Sequence, residues 1–247
     1  MYPGFSKWIL HQGIIRRLVI AVNAGANAVH NARFFREPMN GLTHCIGAVL
    51  ALAGLILLIW DATHPLRAWH LATFIIYGAG MVCLYIISTL FHWLPIPDEE
   101  TSGFRKLDHI MIFVFMATTY TPFCLIPFRG AFGWSMLASI CVITVFGALF
   151  KIFWIHTPRW ICVTVYLCAG WFALVGLGPI VQTLQLKAIF WLMTGGVLYT
   201  LGALIYASKR PNPWPNFFGF HEIFHVLVML GSSAHFWVVY RYISEFS

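Results

Sequence analysis

Seven apolar stretches, each about as long as a bilayer is thick, take up most of the chain and limit what it can fold into. They lie roughly at 41–60, 69–93, 108–127, 132–154, 160–181, 188–207 and 221–243. A helix needs about 20 mainly apolar residues to cross the hydrocarbon core. Only 9% of the residues are charged, whereas soluble domains average about 25%. The sequence therefore predicts an all-α polytopic membrane protein, with a seven-helix transmembrane bundle over residues 37–247.

The basic residues predict the direction of insertion. If the N-terminus is cytoplasmic, the inner face carries eleven of the 15 Lys and Arg residues, many of them in the N-terminal segment. The outer face then carries only Arg67, Arg129, Lys187 and Arg241. Basic residues accumulate on the cytoplasmic side of membrane proteins. We therefore expect a cytoplasmic N-terminus and an external C-terminus, and we do not interpret the net charge of +7 as nucleic-acid binding.

Residues 1–36 precede the bundle and allow two interpretations. Arg16 and Arg17 followed by LVIAVNAGANA resemble a secretory signal, with a basic start and an AxA-like site. The apolar run is short and contains an asparagine, which favours an amphipathic helix on the inner membrane surface. The six cysteines lie in apolar runs without a CxxC pair, so we expect buried free thiols.

Ionisable residues from distant parts of the sequence fall at one membrane face in this topology. His92 ends the second stretch, Asp108 begins the third, and His221 and His225 begin the seventh. Glu37 and His44 flank the start of the first stretch on the same side, with no role assigned to them. Ionisable groups in membranes are costly and usually mark functional sites. This shared depth predicts one polar site at the cytoplasmic end.

The spacing of the histidines suggests a metal. His221 and His225 are four residues apart, which places both imidazoles on one helix face. This spacing is common for two zinc ligands, and His92 is the best-placed third. A catalytic zinc has three protein ligands and keeps a fourth position for water. Asp108 is the candidate to hold or deprotonate that water, and Ser88, one turn before His92, to hydrogen-bond the water or a substrate carbonyl.

Other interpretations compete with this one. A lone histidine in a membrane protein is usually a hydrogen-bonded packing residue. Residues 221–225 also spell HExxH, in which Glu222 would be the general base of an intramembrane zinc protease. A cytolytic pore has little support, because no stretch shows a continuous polar stripe.

Four motifs resemble the hemolysin III family, the bacterial branch of the progestin and adipoQ receptor superfamily. They are EPMNGLTHCIG at 37–47, STLFH at 88–92, DHIMIFVFMATTYTPF at 108–123 and FGFHEIFH at 218–225. The resemblance extends over roughly residues 37–245. It implies a seven-helix bundle in the bacterial inner membrane with an internal N-terminus.

The same resemblance implies a zinc ion held by His92, His221 and His225, with Asp108 and Ser88 near the metal's water. The superfamily is linked to alkaline ceramidases, so it suggests hydrolysis of a lipid amide in membrane-lipid homeostasis, and the family name records a cytolytic phenotype. Membrane lipids are then the expected partners. The alternative is a non-enzymatic sensor or receptor with structural zinc. The sequence does not predict an oligomeric state.

Overall fold

The computed structural model describes residues 35–96, 102–215 and 217–246. Of the predicted N-terminal segment it describes only residues 35 and 36, so the choice between an amphipathic helix and a signal concerns residues outside this range. All six cysteines are described and are free thiols, as predicted. The prediction that they are buried is correct only for Cys124 and Cys162, because Cys83, Cys141 and Cys168 are exposed and Cys45 is half-buried.

Seven helical spans are long and apolar enough to cross a membrane, and none of the described residues forms a β-strand. They are span 1 (Pro38–Thr63), span 2 (Ala68–Trp93), span 3 (Gly103–Leu125), span 4 (Ala131–Phe153), span 5 (Arg159–Thr183), span 6 (Leu186–Ser208) and span 7 (Phe220–Ile243). This confirms the predicted all-α seven-span architecture. The orientation of the termini across the membrane stays a prediction.

The spans differ from the predicted stretches mainly where the helix is irregular or extends into polar sequence. The helix of span 3 begins at Ser102, so Asp108 lies in its second turn and not at its start. Span 5 is two α-helices separated by a 3₁₀ turn at Trp171–Gly176. Pro179 follows this turn and has no backbone N–H, which the first turn of the second helix tolerates. Span 7 ends in a π-helical turn at Val239–Ile243.

The bundle is closed because each span packs against the next and span 1 also packs against span 7. Its core is rich in aromatic residues, including the buried rings of Phe74, Tyr77 and Tyr85. Large apolar side chains such as Val49 and Phe146 remain exposed on the outside. In a protein with seven apolar spans, this outer surface fits a lipid environment.

The start of span 1 is joined to the end of span 2. The backbone N–H of Glu37 donates to the carbonyl of His92 at 2.9 Å, and the Arg36 guanidinium donates to the carbonyl of Phe91 at 2.7 Å. Pro38 at the first helical position suits a helix start. The indole of Trp93 lies against Gly41, where a Cβ atom would come within 2.0 Å of it. The missing side chain at Gly41 therefore allows the two spans to approach closely.

Candidate metal centre

Three imidazoles meet at the predicted cytoplasmic end of the bundle. His92, His221 and His225 each offer a ligand atom, and these atoms all lie within 4.8 Å of one another. Their ring centroids are 4.6 to 5.0 Å apart. The rings stand edge to face and not in a stack, with interplanar angles of 65° to 90°. Such an arrangement lets three nitrogens converge on one point.

Local structure explains why these side chains meet. Span 7 begins at Phe220, after a segment at 209–216 whose three prolines cannot continue a helix. His221 is its second residue, and His225 follows one turn later on the same face. His92 is the penultimate residue of span 2. Span 2 ends and span 7 begins at this end of the bundle, so the two helices place these three histidines at the same depth.

Hydrogen bonds occupy one ring nitrogen in two of the three histidines. His92 Nδ1 lies 2.5 Å from Oε2 of Glu37. His225 Nδ1 lies 3.0 Å from the hydroxyl of Thr43 and 3.3 Å from the backbone carbonyl of Asn40. The remaining nitrogen, Nε2, is then the one left to bind a metal. His92 Nε2 is buried and has no hydrogen-bond partner among the described residues.

Glu37 contacts the cluster through His92, and its side chain is held in the charged carboxylate form. Burial by itself would raise the pKa of Glu37. Hydrogen bonds from the His92 ring and from the Asn40 amide at 3.0 Å outweigh burial and hold the pKa of Glu37 well below its usual range. The carboxylate is therefore an acceptor for the N–H of His92.

His44 is a fourth imidazole beside the site. It is 4% exposed and stacks on His225 with ring centroids 3.6 Å apart, and neither of its ring nitrogens has a hydrogen-bond partner among the described residues. It is not a member of the converging group of three.

From the sequence, Glu37 and His44 were noted at the start of span 1 without an assigned role, and Asn40 and Thr43 were missed. Glu37, Asn40, Thr43 and His44 recur at intervals of three and four residues, which places them on one helix face. That periodicity was the signal available, because a polar stripe at the start of an apolar span faces the protein interior. The structure places this stripe against the two ligand-bearing spans.

The predicted catalytic residues Ser88 and Asp108 are not members of the group of three histidines. Ser88 is buried one turn before His92 in span 2. Asp108 is half-buried and close enough to interact electrostatically with Tyr166 and Tyr206. The Tyr206 ring in turn meets His221, with centroids 5.6 Å apart. The roles assigned to Asp108 and Ser88 stay predictions.

Glu222, the acidic residue of HExxH, caps the start of its own helix. Its Oε2 accepts a hydrogen bond from the backbone N–H of Gly219 at 2.8 Å, which caps the start of span 7. This contact turns the carboxylate back along the chain. The observation weakens the protease interpretation, in which Glu222 would act on the metal's water.

The donor set fits a borderline metal ion. Imidazole suits Zn²⁺, Cu²⁺, Fe²⁺ and Ni²⁺, and three histidines with one open position are a known arrangement for catalytic zinc. The unpaired, buried Nε2 of His92 supports this fit, because a buried polar atom without a partner is costly. Among the described residues, the structure thus brings together a ligand set able to hold a metal.

Comparison with known proteins gives a consistent relationship. The family described as "Haemolysin-III related" matches residues 32–236. Hemolysin-3 of Bacillus cereus is 35% identical over 212 residues, which cover 85% of this chain and 94% of the relative. The Hemolysin-3 homolog of Bacillus subtilis is 34% identical over 207 residues, with 83% and 93% covered.

A more distant relative comes from animals. The human monocyte to macrophage differentiation factor is 25% identical over 229 residues, which cover 89% of this chain and 90% of that protein. The relatives thus match nearly the whole bundle and not one motif. The chain is a multi-pass bacterial membrane protein and belongs to the hemolysin III family.

Proposed function

We propose that this protein is a zinc-dependent hydrolase of lipid amides, with His92, His221 and His225 as the zinc ligands. The observation that carries the proposal is the convergence of three buried or half-buried imidazoles. Among the described residues the group offers three ligand atoms, so a fourth coordination position is left for water or substrate. An open position distinguishes catalytic zinc from structural zinc, which usually has four protein ligands.

In this proposal, each protein group has a role. Zinc held by the three histidines would supply a water with a pKa of about 7 and would polarise a carbonyl group. Asp108 orients the attacking water, accepts its proton as the new C–O bond forms, and returns that proton to the amide nitrogen as the C–N bond breaks. The hydroxyl of Ser88 donates a hydrogen bond to the carbonyl oxygen of the scissile amide. The site lies at one end of a bundle with an apolar outer surface, which suits a substrate whose acyl chain stays in the membrane.

The relatives agree with a membrane-directed activity. Two of them carry the name Hemolysin-3, which refers to lysis of cells. Hydrolysis of membrane lipids is one chemistry by which such a protein would damage a bilayer. At low activity the same reaction would serve membrane-lipid homeostasis.

Purified protein in lipid nanodiscs tests the proposal with a ceramide-type amide that carries a fluorescent acyl chain. We expect about one zinc per chain and release of the free fatty acid. Asp108→Asn should keep zinc and lose turnover by about 10²-fold or more. Asp61→Asn is the matched control, because Asp61 pairs with Arg67 at the opposite end of the bundle. Turnover retained by Asp108→Asn would contradict its catalytic role.

A second candidate is a sensor or receptor with structural zinc. It is favoured by the origin of the ligands, since His92 comes from span 2 and the other two from span 7, so that zinc would clamp two spans. In that case Asp108→Asn would change little, and zinc removal would act mainly on stability. Lipid mass spectrometry of membranes with the protein present, absent or carrying His225→Ala separates the two, because only the enzyme changes lipid composition directly.

A further inference from the structure

Span 1 supplies none of the three converging imidazoles, yet it contacts two of them. Glu37 reaches His92, while Asn40 and Thr43 reach His225. These contacts come from fewer than two turns of one helix. We propose that the start of span 1 is the outer shell of the metal site, and that Glu37 is a positioning residue which controls how tightly the site holds its metal. This inference rests on the proposed zinc site but not on lipid hydrolysis.

The first step is the geometry at His92. The Glu37 carboxylate is 2.5 Å from Nδ1, so this nitrogen carries the ring's N–H and donates a hydrogen bond to the carboxylate. Neutral imidazole has one N–H, and Nε2 is then left with a lone pair. A carboxylate behind a metal-binding histidine fixes the tautomer and the ring orientation and makes the ligand more basic.

The second step is the rigidity of Glu37 itself. Its backbone N–H is bonded to the carbonyl of His92 at 2.9 Å, and its Oε2 accepts from the Asn40 amide at 3.0 Å. The residue is therefore tied to its target by both main chain and side chain. A positioning group needs this support to hold a ligand in one orientation.

The third step is the equivalent arrangement at His225. Its Nδ1–H faces the carbonyl of Asn40 at 3.3 Å and the Thr43 hydroxyl at 3.0 Å, while that hydroxyl donates to the same carbonyl at 2.7 Å. Two acceptors serve one N–H, so loss of Thr43 leaves Asn40 in place. The acceptors at His225 are neutral, whereas the acceptor at His92 is charged. We therefore expect Glu37 to matter more than Thr43.

The test is zinc affinity, measured by competition with a chelating dye on the full chain in detergent or nanodiscs. Glu37→Ala should raise the zinc dissociation constant by about 10- to 100-fold. Glu37→Gln removes the charge but provides an amide oxygen that can accept a hydrogen bond from the His92 N–H. Its zinc dissociation constant should therefore lie between those of the wild type and Glu37→Ala. Thr43→Val should change the constant less than Glu37→Ala does.

Glu222→Gln is the matched control. It makes the same chemical change at the same end of the bundle, but Glu222 caps span 7 through the Gly219 N–H, which a glutamine oxygen can also accept. Its zinc affinity should equal that of the wild type. Cobalt substitution adds a spectroscopic readout, because the absorption bands of bound Co²⁺ report ligand geometry and would shift in the Glu37 variants only.

The outcomes separate three cases. If the wild type binds no zinc, both the proposed function and this inference fail. If the wild type binds zinc and Glu37→Ala binds it equally well, the inference fails while the zinc site stands. If Glu37→Ala lowers only the melting temperature of the metal-free protein, Glu37 is a structural link between spans 1 and 2, and the inference is also overturned.

Discussion

Span 7 carries two polar regions that differ in whether their polar atoms have hydrogen-bond partners. His225 lies near its start, and Ser232 follows seven residues later, two turns along the same face. Around Ser232, the hydroxyl of Tyr85 donates to Ser232 Oγ at 2.7 Å, and Tyr199 lies 3.0 Å from the same atom. Ser232 in turn donates to the carbonyl of Val228 at 2.9 Å. This second region closes its hydrogen bonds within the protein.

The region around His225 leaves ring nitrogens unpaired. His92 Nε2 and both ring nitrogens of His44 are buried and have no hydrogen-bond partner in the described part of the chain. A buried polar atom without a partner costs about 1 to 3 kcal/mol, so such atoms call for a ligand. Burial of polar groups in a membrane bundle is therefore not itself a sign of function. A better sign of function is a group of convergent side-chain nitrogens in which a buried nitrogen has no hydrogen-bond partner.

The largest difference is expected between loss of one imidazole at the metal centre and loss of one imidazole elsewhere on span 7. His225→Ala should reduce bound zinc from about one per chain to near zero, because two remaining ligands hold zinc poorly. His235→Ala is the control on the same helix, since His235 Nε2 donates to the carbonyl of Leu192 at 3.2 Å and is a packing residue. It should keep its zinc. Elemental analysis by mass spectrometry checks both, and zinc retained in His225→Ala would overturn the ligand assignment.

The next effect concerns stability. Zinc at about 1,000 times its dissociation constant should stabilise the folded wild type by about 4 kcal/mol, because it binds the native state. The same addition should not stabilise His92→Ala, whereas Ser232→Ala should respond like the wild type. Thermal unfolding in detergent, with and without a chelator, measures the difference. An equal response of all three proteins would mean that zinc acts elsewhere.

The two regions also differ in how far the sequence predicts them. HxxxH at 221–225 and the position of His92 at a span end were sufficient to predict the cluster of three histidines, because topology alone fixes the depth of residues near span ends. Glu37 and Thr43 had the right periodicity, but their hydrogen-bond targets depend on the rotation of span 1 about its axis. Helix rotation is set by packing, such as the fit of Trp93 against Gly41, and apolar spans carry little amphipathic signal to predict it.

Contacts inside the membrane-spanning part of the bundle were harder still to predict from the sequence. Nothing in the sequence pairs Tyr85 with Ser232, 147 residues away. The start of span 3 was also missed, because the helix continues through the polar residues 102–107, which lie outside the apolar window used to recognise a span. Predictions from hydropathy locate the membrane-crossing part of a helix, not its ends.

A smaller effect is expected from the region around Ser232. Ser232→Ala removes the shared acceptor of two tyrosine hydroxyls and should lower the free energy of unfolding by about 1 to 3 kcal/mol. Ser233→Ala is the matched control, because Ser233 is exposed and bonds only to the carbonyl of Met229 in its own helix. Unfolding by a denaturing detergent compares the two. Zinc content should be unchanged in both. Loss of zinc in Ser232→Ala would show that the two regions form a single site.

The smallest effect concerns a single hydrogen bond across spans 6 and 7. Tyr199→Phe removes one hydroxyl and keeps the ring, and interhelical hydrogen bonds in membranes average about 0.6 kcal/mol. In a Ser232→Ala background the same substitution should cost less than it does in the wild type, because its partner is already absent. A double-mutant cycle in the same unfolding assay measures this coupling. Coupling indistinguishable from zero would show that Tyr199 and Ser232 are neighbours by packing alone, and that the hydrogen bonds of this region contribute less to stability than their geometry suggests.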